Sequence, residues 1–181
     1  MFLGTLEPRK NLVGLIEAYN LLKTESKEDI PQLVLAGGKG WYYESIFETV
    51  KKLHLEQDVI FTGYVPEEDS PLLMNGAVAF VFPSLYEGFG MPPLEAMACG
   101  TPVIVSDTAS LPEVVRDAGV YVDPNSVESM KEGLLEIWGN IEIGKILKRQ
   151  GIEHSKQFQW EIVTRILKDN LDRKDKNESS I

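Results

Sequence analysis

Apolar positions along the chain fall into two alternating patterns. Short runs rich in Val, Ile, Leu and Phe recur at Phe2–Thr5, Gln32–Ala36, Val59–Thr62, Val78–Pro83, Pro102–Ser106 and Val120–Asp123. They are apolar on both faces, the pattern of parallel strands covered from both sides. Between them, apolar residues return every three or four positions, as on one face of a helix. Asn11 is expected to cap a helix reaching about Lys23, with Leu12, Leu15, Ile16, Tyr19 and Leu22 on one face. Further helices are predicted over Tyr43–Leu53, Glu67–Met74 with its acids in the first turn, Pro93–Ala98 and Pro112–Asp117. After the last strand the pattern turns helical throughout: Val127–Trp138, Ile141–Ser155 and Trp160–Asp172. In the last of these, Ile162, Val163, Ile166, Leu167 and Leu171 form an apolar stripe that is expected to be partly exposed and to favour self-association or a partner.

Alternation of strand and helix predicts an α/β fold: a doubly wound, Rossmann-like parallel sheet of about six strands with C-terminal helices. One domain is expected over 1–172, followed by a charged, polar tail over 173–181. Only Met1–Leu3 precede the Gly4 turn. Parallel strands usually run ~5–6 residues, so the first is expected to be cut short, in a fragment or a truncated reading frame.

Composition narrows the function classes. With 43% hydrophobic and 25% charged residues, the 181-residue chain is ordinary for a globular protein. Its net charge of -10 argues against nucleic-acid binding across the surface, so an anionic ligand needs a local positive pocket. The single cysteine, Cys99, leaves no internal disulfide and fits a reducing, cytoplasmic compartment. His54 and His154 lack ligand spacing, and no Asp-x-Asp pair exists to hold a metal–diphosphate complex, so no metal site is expected.

Ligands of open α/β sheets sit beyond the carboxyl ends of the strands. There the sequence places Gly4, Thr5, Arg9 and Lys10 after the first strand, and Gly37-Gly38-Lys39-Gly40 after the second. Gly63, Tyr64 and Val65 follow the third, and Glu87-Gly-Phe-Gly-Met-Pro-Pro-Leu-Glu95 the fourth. The second-strand glycines do not make a complete phosphate-binding loop, since the leading glycine and the Ser/Thr after the lysine are missing. Gly38 is read as part of a turn lining the pocket. In the Glu87–Glu95 segment, two glycines allow a tight loop, and Pro92 and Pro93 suit the first turn of a helix. The N–H groups of Phe89, Gly90 and Met91 then form an anion cradle at a helix N-terminus. Glu95 is expected in the first turn of that helix, aimed at ligand hydroxyls, with Glu87 across the loop. Arg9 and Lys10 are expected to open the first helix, where cations oppose the dipole and a bound anion would explain them. Taken alone, Glu95 reads as a complement to the helix dipole and Glu87 as a solvated acid; their joint placement after a buried strand is what points to a ligand.

The stretch EGFGMPPLEAMACGTPVIVSD resembles the signature of retaining glycosyltransferases of the GT-B fold, family 4 type. The opening FLGTLEPRKNL, then FTGYVPEED, SLPEVV and Phe158-Gln159-Trp160-Glu161, match the same pattern in order. The resemblance covers only the C-terminal, donor-binding half of such an enzyme. It implies that Lys10 contacts the donor diphosphate and that Arg9 takes the second positive role, since Thr5 stands where many members carry Arg. By the same resemblance Glu95 holds the ribose, Glu87 contacts the transferred sugar, and the main chain around Val65 meets the base. Backbone donors that some relatives use cannot exist at Pro92 and Pro93. The implied partners are a nucleotide-diphosphate sugar and, through a missing N-terminal domain, an acceptor glycan or lipid-linked saccharide. No metal cofactor is implied, and the full enzyme would work in the cytoplasm or against the inner face of a membrane. The subgroup opening points to a bacterial mannosyltransferase-like enzyme of polysaccharide synthesis. Two other readings stay open: a non-catalytic nucleotide-sugar-binding module, or one subunit of a two-chain transferase. A phosphatase or kinase-like domain lacks its motifs here.

Overall fold

Six short parallel strands form the centre of the computed structural model, which describes residues 1–158 together with Thr164 and Lys168. They are β1 (Phe2–Leu3), β2 (Leu33–Ala36), β3 (Val59–Gly63), β4 (Phe80–Phe82), β5 (Val103–Ser106) and β6 (Gly119–Val122). The helices are α1 (Leu12–Glu25), α2 (Glu44–Lys52), α3 (Ser70–Asn75), α4 (Met91–Ala98), α5 (Leu111–Val115), α6 (Val127–Trp138) and α7 (Ile141–Ser155). The predicted strand–helix order is reproduced, and the bounds of α6 and α7 match the periodicity. The predicted helix over Trp160–Asp172, its stripe and the polar tail lie outside the described residues, apart from Thr164 and Lys168, which are helical and exposed.

The strands make two parallel ladders, β1-β2-β3 and β4-β5-β6. The ladders meet at one edge, where the Val81 N–H donates to the Met1 carbonyl at 2.7 Å. The order across the molecule is therefore 3-2-1-4-5-6. From β1 the chain winds one way, and from β4 it winds the other. Right-handed crossovers then put α1 and α2 on one face and α4 and α5 on the other, while α6, after the last strand, lies on the α1 side. Accordingly α1 packs on α2 and α6, while α4 packs on α3, α5 and α7. The reversal between β1 and β4 creates a crevice at their carboxyl ends, where such sheets bind ligands.

One core runs through both halves. Phe2 of β1 and Phe82 of β4 stack at 5.9 Å across the junction, and all four residues of β5 are buried. α1 buries Leu12, Leu15, Ile16, Tyr19 and Leu22, the stripe its periodicity predicts.

Three local expectations are corrected. Asn11 does precede α1, but at φ 54° in the left-handed region, and its side chain makes no cap. Its amide instead donates to the Pro124 carbonyl at 2.7 Å, tying the start of α1 to the segment after β6. α3 begins at Ser70, so Glu67, Glu68 and Asp69 precede it rather than fill its first turn. α4 begins two residues earlier than predicted, at Met91, because Pro92 and Pro93 need no donors in a first turn.

Candidate functional site

The loops leaving β1 and β4 carry most of the predicted site residues, and the switch in winding brings these loops side by side. After β1, the Gly4 N–H donates to the Ala36 carbonyl at 2.9 Å, and Leu6 bridges to Lys39. Pro8–Lys10 then form one 3-10 turn, closed before α1 by the left-handed Asn11. Arg9 and Lys10 thus lie in a turn of their own and not in the first turn of α1. The Leu85 N–H donates to the Arg9 carbonyl at 2.9 Å, which fastens the β4 loop to this turn.

Across that fastening, Lys10 Nζ donates to Glu87 Oε1 at 2.6 Å, and Arg9 pairs with Glu87 Oε2 at 2.8 Å. Arg9 also reaches the Tyr86 carbonyl and Glu7 Oε1, both at 2.8 Å. The Lys10 and Glu87 side chains are only 10% and 11% exposed, while Arg9 remains 44% exposed. Lys10 Nζ also stands 4.6 Å above the Phe82 ring, a cation–π contact that helps hold a mostly desolvated ammonium. Burial pushes the Glu87 carboxyl up, but hydrogen bonds from Lys10 and Arg9, with a lesser effect of nearby Ser84, outweigh it and leave the group below the usual carboxylate range. The Arg9 guanidinium is held above its ordinary value, chiefly by its hydrogen bond to Glu87. Sequence reading placed Glu87 across the loop from Glu95, and Arg9 and Lys10 apart from it at the start of the first helix, awaiting an anion. The structure joins Arg9, Lys10 and Glu87 in one ion cluster, so Glu87 is an anion that already accounts for both cations.

The Glu87–Met91 segment turns over the N-terminus of α4. Gly90 takes φ 103°, and a Cβ there would come within 2.7 Å of Leu111 Cδ2, so both conformation and space require glycine. Among the described residues, the N–H groups of Gly88, Phe89, Gly90 and Met91 donate to no protein acceptor. Glu95 falls in the second turn of α4, not the first, since α4 starts at Met91. The residue as a whole is exposed, while partial burial of its carboxyl, and then Glu67, raise its pKa.

The sequence profile described as "Glycosyl transferases group 1" matches residues 1–154. The chain belongs to this family. It is 44% identical over 164 residues to O-antigen chain mannosyltransferase B of Escherichia coli, covering 91% of this chain and 43% of that protein. Sucrose-phosphate synthase from Thermosynechococcus elongatus superposes with a TM-score of 0.83 at 27% identity, over 95% of this chain and 44% of that one. Anabaena HepE, solved with UDP and glucose, superposes at 0.81 with 21% identity, over 95% of this chain and 47% of that one. The chain spans less than half the length of these relatives. Its fold is that of one half of a GT-B enzyme.

Other predicted site residues of this group 1 glycosyltransferase chain are more scattered. Thr5 is exposed beside the half-buried Gly4. Gly38 is half-buried and accepts from the Leu6 N–H at 2.9 Å, so it does line the end of β2. Its neighbour Gly37 is glycine for a packing reason: a Cβ there would lie 1.9 Å from the Gly4 carbonyl oxygen. Lys39 sits over the rings of Tyr43 and Phe47, at 4.8 and 5.0 Å. Val65 is half-buried beyond β3, two strands from the crevice. No cluster of three or more metal-ligating side chains occurs among the described residues.

Sequence reasoning missed Ser110 and, although Ser84 and Ser106 fall at the strand ends it singles out, the unpartnered state of the hydroxyls there. Ser110, ahead of α5, donates to the Glu87 and Phe89 carbonyls, each at 3.0 Å. No spacing signal marks it, because the contact joins residues more than twenty positions apart. The hydroxyls of Ser84, Ser106 and Thr108 lie buried without a protein hydrogen-bond partner around the ends of β4 and β5; Ser84 is near Glu87 but outside hydrogen-bond geometry. A tight apolar cavity of about 180 Å³ opens at the other end of the strands, lined by Met1, Tyr19, Leu33, Val81 and Trp138 among others, and carries none of the predicted chemistry.

Proposed function

We propose that this chain is the donor-binding half of a retaining glycosyltransferase that takes a nucleotide-diphosphate sugar. The observation that carries the reading is the pairing, at one switch point, of acceptorless N–H groups over α4 with the Arg9–Lys10 turn. The N–H groups and the helix dipole favour an anion, and the two cations meet the same loop at Glu87. UDP bound to HepE and the mannosyltransferase name of the Escherichia coli relative support a nucleotide-sugar donor and a polysaccharide-building role.

Chemically, the diphosphate has to compete with Glu87 for Lys10 and Arg9. When it takes them over, the Glu87 carboxylate becomes available to the transferred sugar. Charge developing on the leaving diphosphate would then fall on oriented donors and on cations drawn from a partly desolvated pair, where such contacts are stronger than in water. Glu95, whose side chain makes no hydrogen bond among the described residues, is assigned to the ribose hydroxyls. The two cations replace the charge a metal would bring, so binding is proposed to be metal-free. Transfer to an acceptor glycan or lipid-linked saccharide is assigned to the complete two-domain enzyme.

The test is thermal unfolding with GDP, UDP and the other nucleoside diphosphates, with EDTA present. A ligand at ~100 times its dissociation constant should stabilise the chain by roughly 2.7 kcal/mol. Glu95→Ala should weaken that ligand by roughly tenfold or more, the loss of a charge-assisted hydrogen bond. Failure of every nucleoside diphosphate to stabilise a folded chain overturns the reading. Stabilisation only with magnesium removes its metal-free part.

A further inference from the structure

We propose that Ser110 is a positioning residue that sets the direction of the donor loop's N–H groups; its part in diphosphate binding rests on the donor-binding reading above. Ser110 stands at the N-cap of α5, where a serine normally turns its hydroxyl onto the first N–H groups of its own helix. Here it makes no such bond. Its hydroxyl reaches back across the chain to the carbonyls of Glu87 and Phe89, at 3.0 Å each, in one three-centre hydrogen bond.

The consequence follows from the planarity of the peptide. In a trans peptide the carbonyl of one residue and the N–H of the next point in opposite directions. Drawing the carbonyls of residues 87 and 89 onto one hydroxyl therefore turns the N–H groups of Gly88 and Gly90 away from it. Both N–H groups then lie on the face of the loop away from Ser110, open to a ligand there. Neither has an acceptor among the described residues, and a Cβ on Gly88 would meet nothing within 4 Å, so the space beside it is open. Gly88 N–H, which the sequence did not single out, is thereby a donor of the cradle alongside Gly90.

Two neighbouring contacts hold the same geometry. Gly90, at φ 103°, abuts Leu111, the residue after Ser110. Arg9 holds the preceding carbonyl, that of Tyr86, at 2.8 Å. The loop is thus gripped from the α5 side by Ser110 and from the β1 side by Arg9. Ser110 touches no reacting atom; it acts through the peptide planes.

The experiment compares the full chain with Ser110→Ala and Ser110→Thr. Its probes are GDP and UDP by calorimetry, and the amide signals of Gly88 and Gly90 by NMR without ligand. Ser110→Ala should stay folded and bind the preferred diphosphate roughly three- to tenfold more weakly, as for one lost neutral hydrogen bond. Its Gly88 and Gly90 amide signals should move while those of β5 stay. Ser110→Thr, which keeps the hydroxyl, should restore both. Wild-type affinity and unmoved amide signals in Ser110→Ala overturn the proposal, as does a folded Ser110→Thr that behaves like Ser110→Ala. If the wild-type chain binds neither GDP nor UDP, the donor assignment for those probes fails, and the amide signals then decide whether Ser110 sets the loop.

Discussion

A lysine as buried as Lys10 is tolerated because Glu87 meets its charge and Phe82 covers one side of it. That dependence makes Glu87 a structural residue as well as a candidate for the site. Glu87→Ala should destabilise the chain by about 1–3 kcal/mol, measured by urea unfolding at neutral pH; the exposed Arg9 contributes little to this. The pH dependence has a definite sign. Because the folded-state pKa of Glu87 is lowered, its contribution is present above the unfolded carboxylate value and is lost as pH falls through the lower, folded value. Unfolding curves between pH 7 and pH 3 should therefore show the gap between wild type and Glu87→Gln closing toward the acid end. A gap that stays constant across that range would mean the ion cluster does not hold in solution.

At the scale of elements, glycines and caps divide the loops into strict and permissive positions. Gly37, at φ 138° and against the Gly4 carbonyl, holds the ends of β1 and β2 together. Gly37→Ala should cost about 3 kcal/mol or more, through strain at a positive φ and a backbone clash. Gly88→Ala, with open space around it, should change stability by less than about 0.5 kcal/mol. Paired thermal melts of the two variants check the contrast, and equal losses would contradict it. α7 depends on a true cap, since Asn140 accepts from the N–H groups of Glu142 and Ile143. Asn140→Ala should cost about 1 kcal/mol in the same melts. The Asn11 position, which looks alike in sequence, should respond differently. Its amide ties α1 to Pro124, so Asn11→Asp, a good cap residue, should destabilise rather than spare the fold.

Across the whole molecule, the two ladders are joined by backbone hydrogen bonds at Met1–Val81, Met1–Ala79 and Arg9–Leu85 and by a core shared between them. The Phe2–Phe82 stack lies on that seam. Phe82→Ala should cost ~3–5 kcal/mol, the usual range for removing a buried Phe. Because the core is continuous, the chain should still unfold in a single step, with far-ultraviolet circular dichroism and tyrosine fluorescence tracing the same curve. Separate transitions would show the ladders to be independent units. The chain carries a net charge of -10, and the proposed diphosphate contacts rest on Arg9 and Lys10, so diphosphate binding should weaken steadily with added salt, a trend calorimetry would follow.

The alternation of apolar runs with helical periodicity was sufficient, by itself, to define the class, the order of elements and the carboxyl ends of the strands. Burial on both faces of a parallel sheet leaves that pattern in the residues themselves. The glycines and prolines of residues 87–95 likewise show locally that a tight loop enters a helix there. Pairing was decided elsewhere. Whether Arg9 and Lys10 wait for a ligand or already rest on Glu87 depends on β1 lying beside β4, a contact between residues 77 and 78 positions apart. Ser110 and Asn11 show the same limit. A serine or asparagine before a helix reads as a cap, because the local backbone offers it donors. In the folded chain a more distant carbonyl competes for each side chain and wins. Such competition is settled only when tertiary packing brings the alternatives within 3 Å or so of one another.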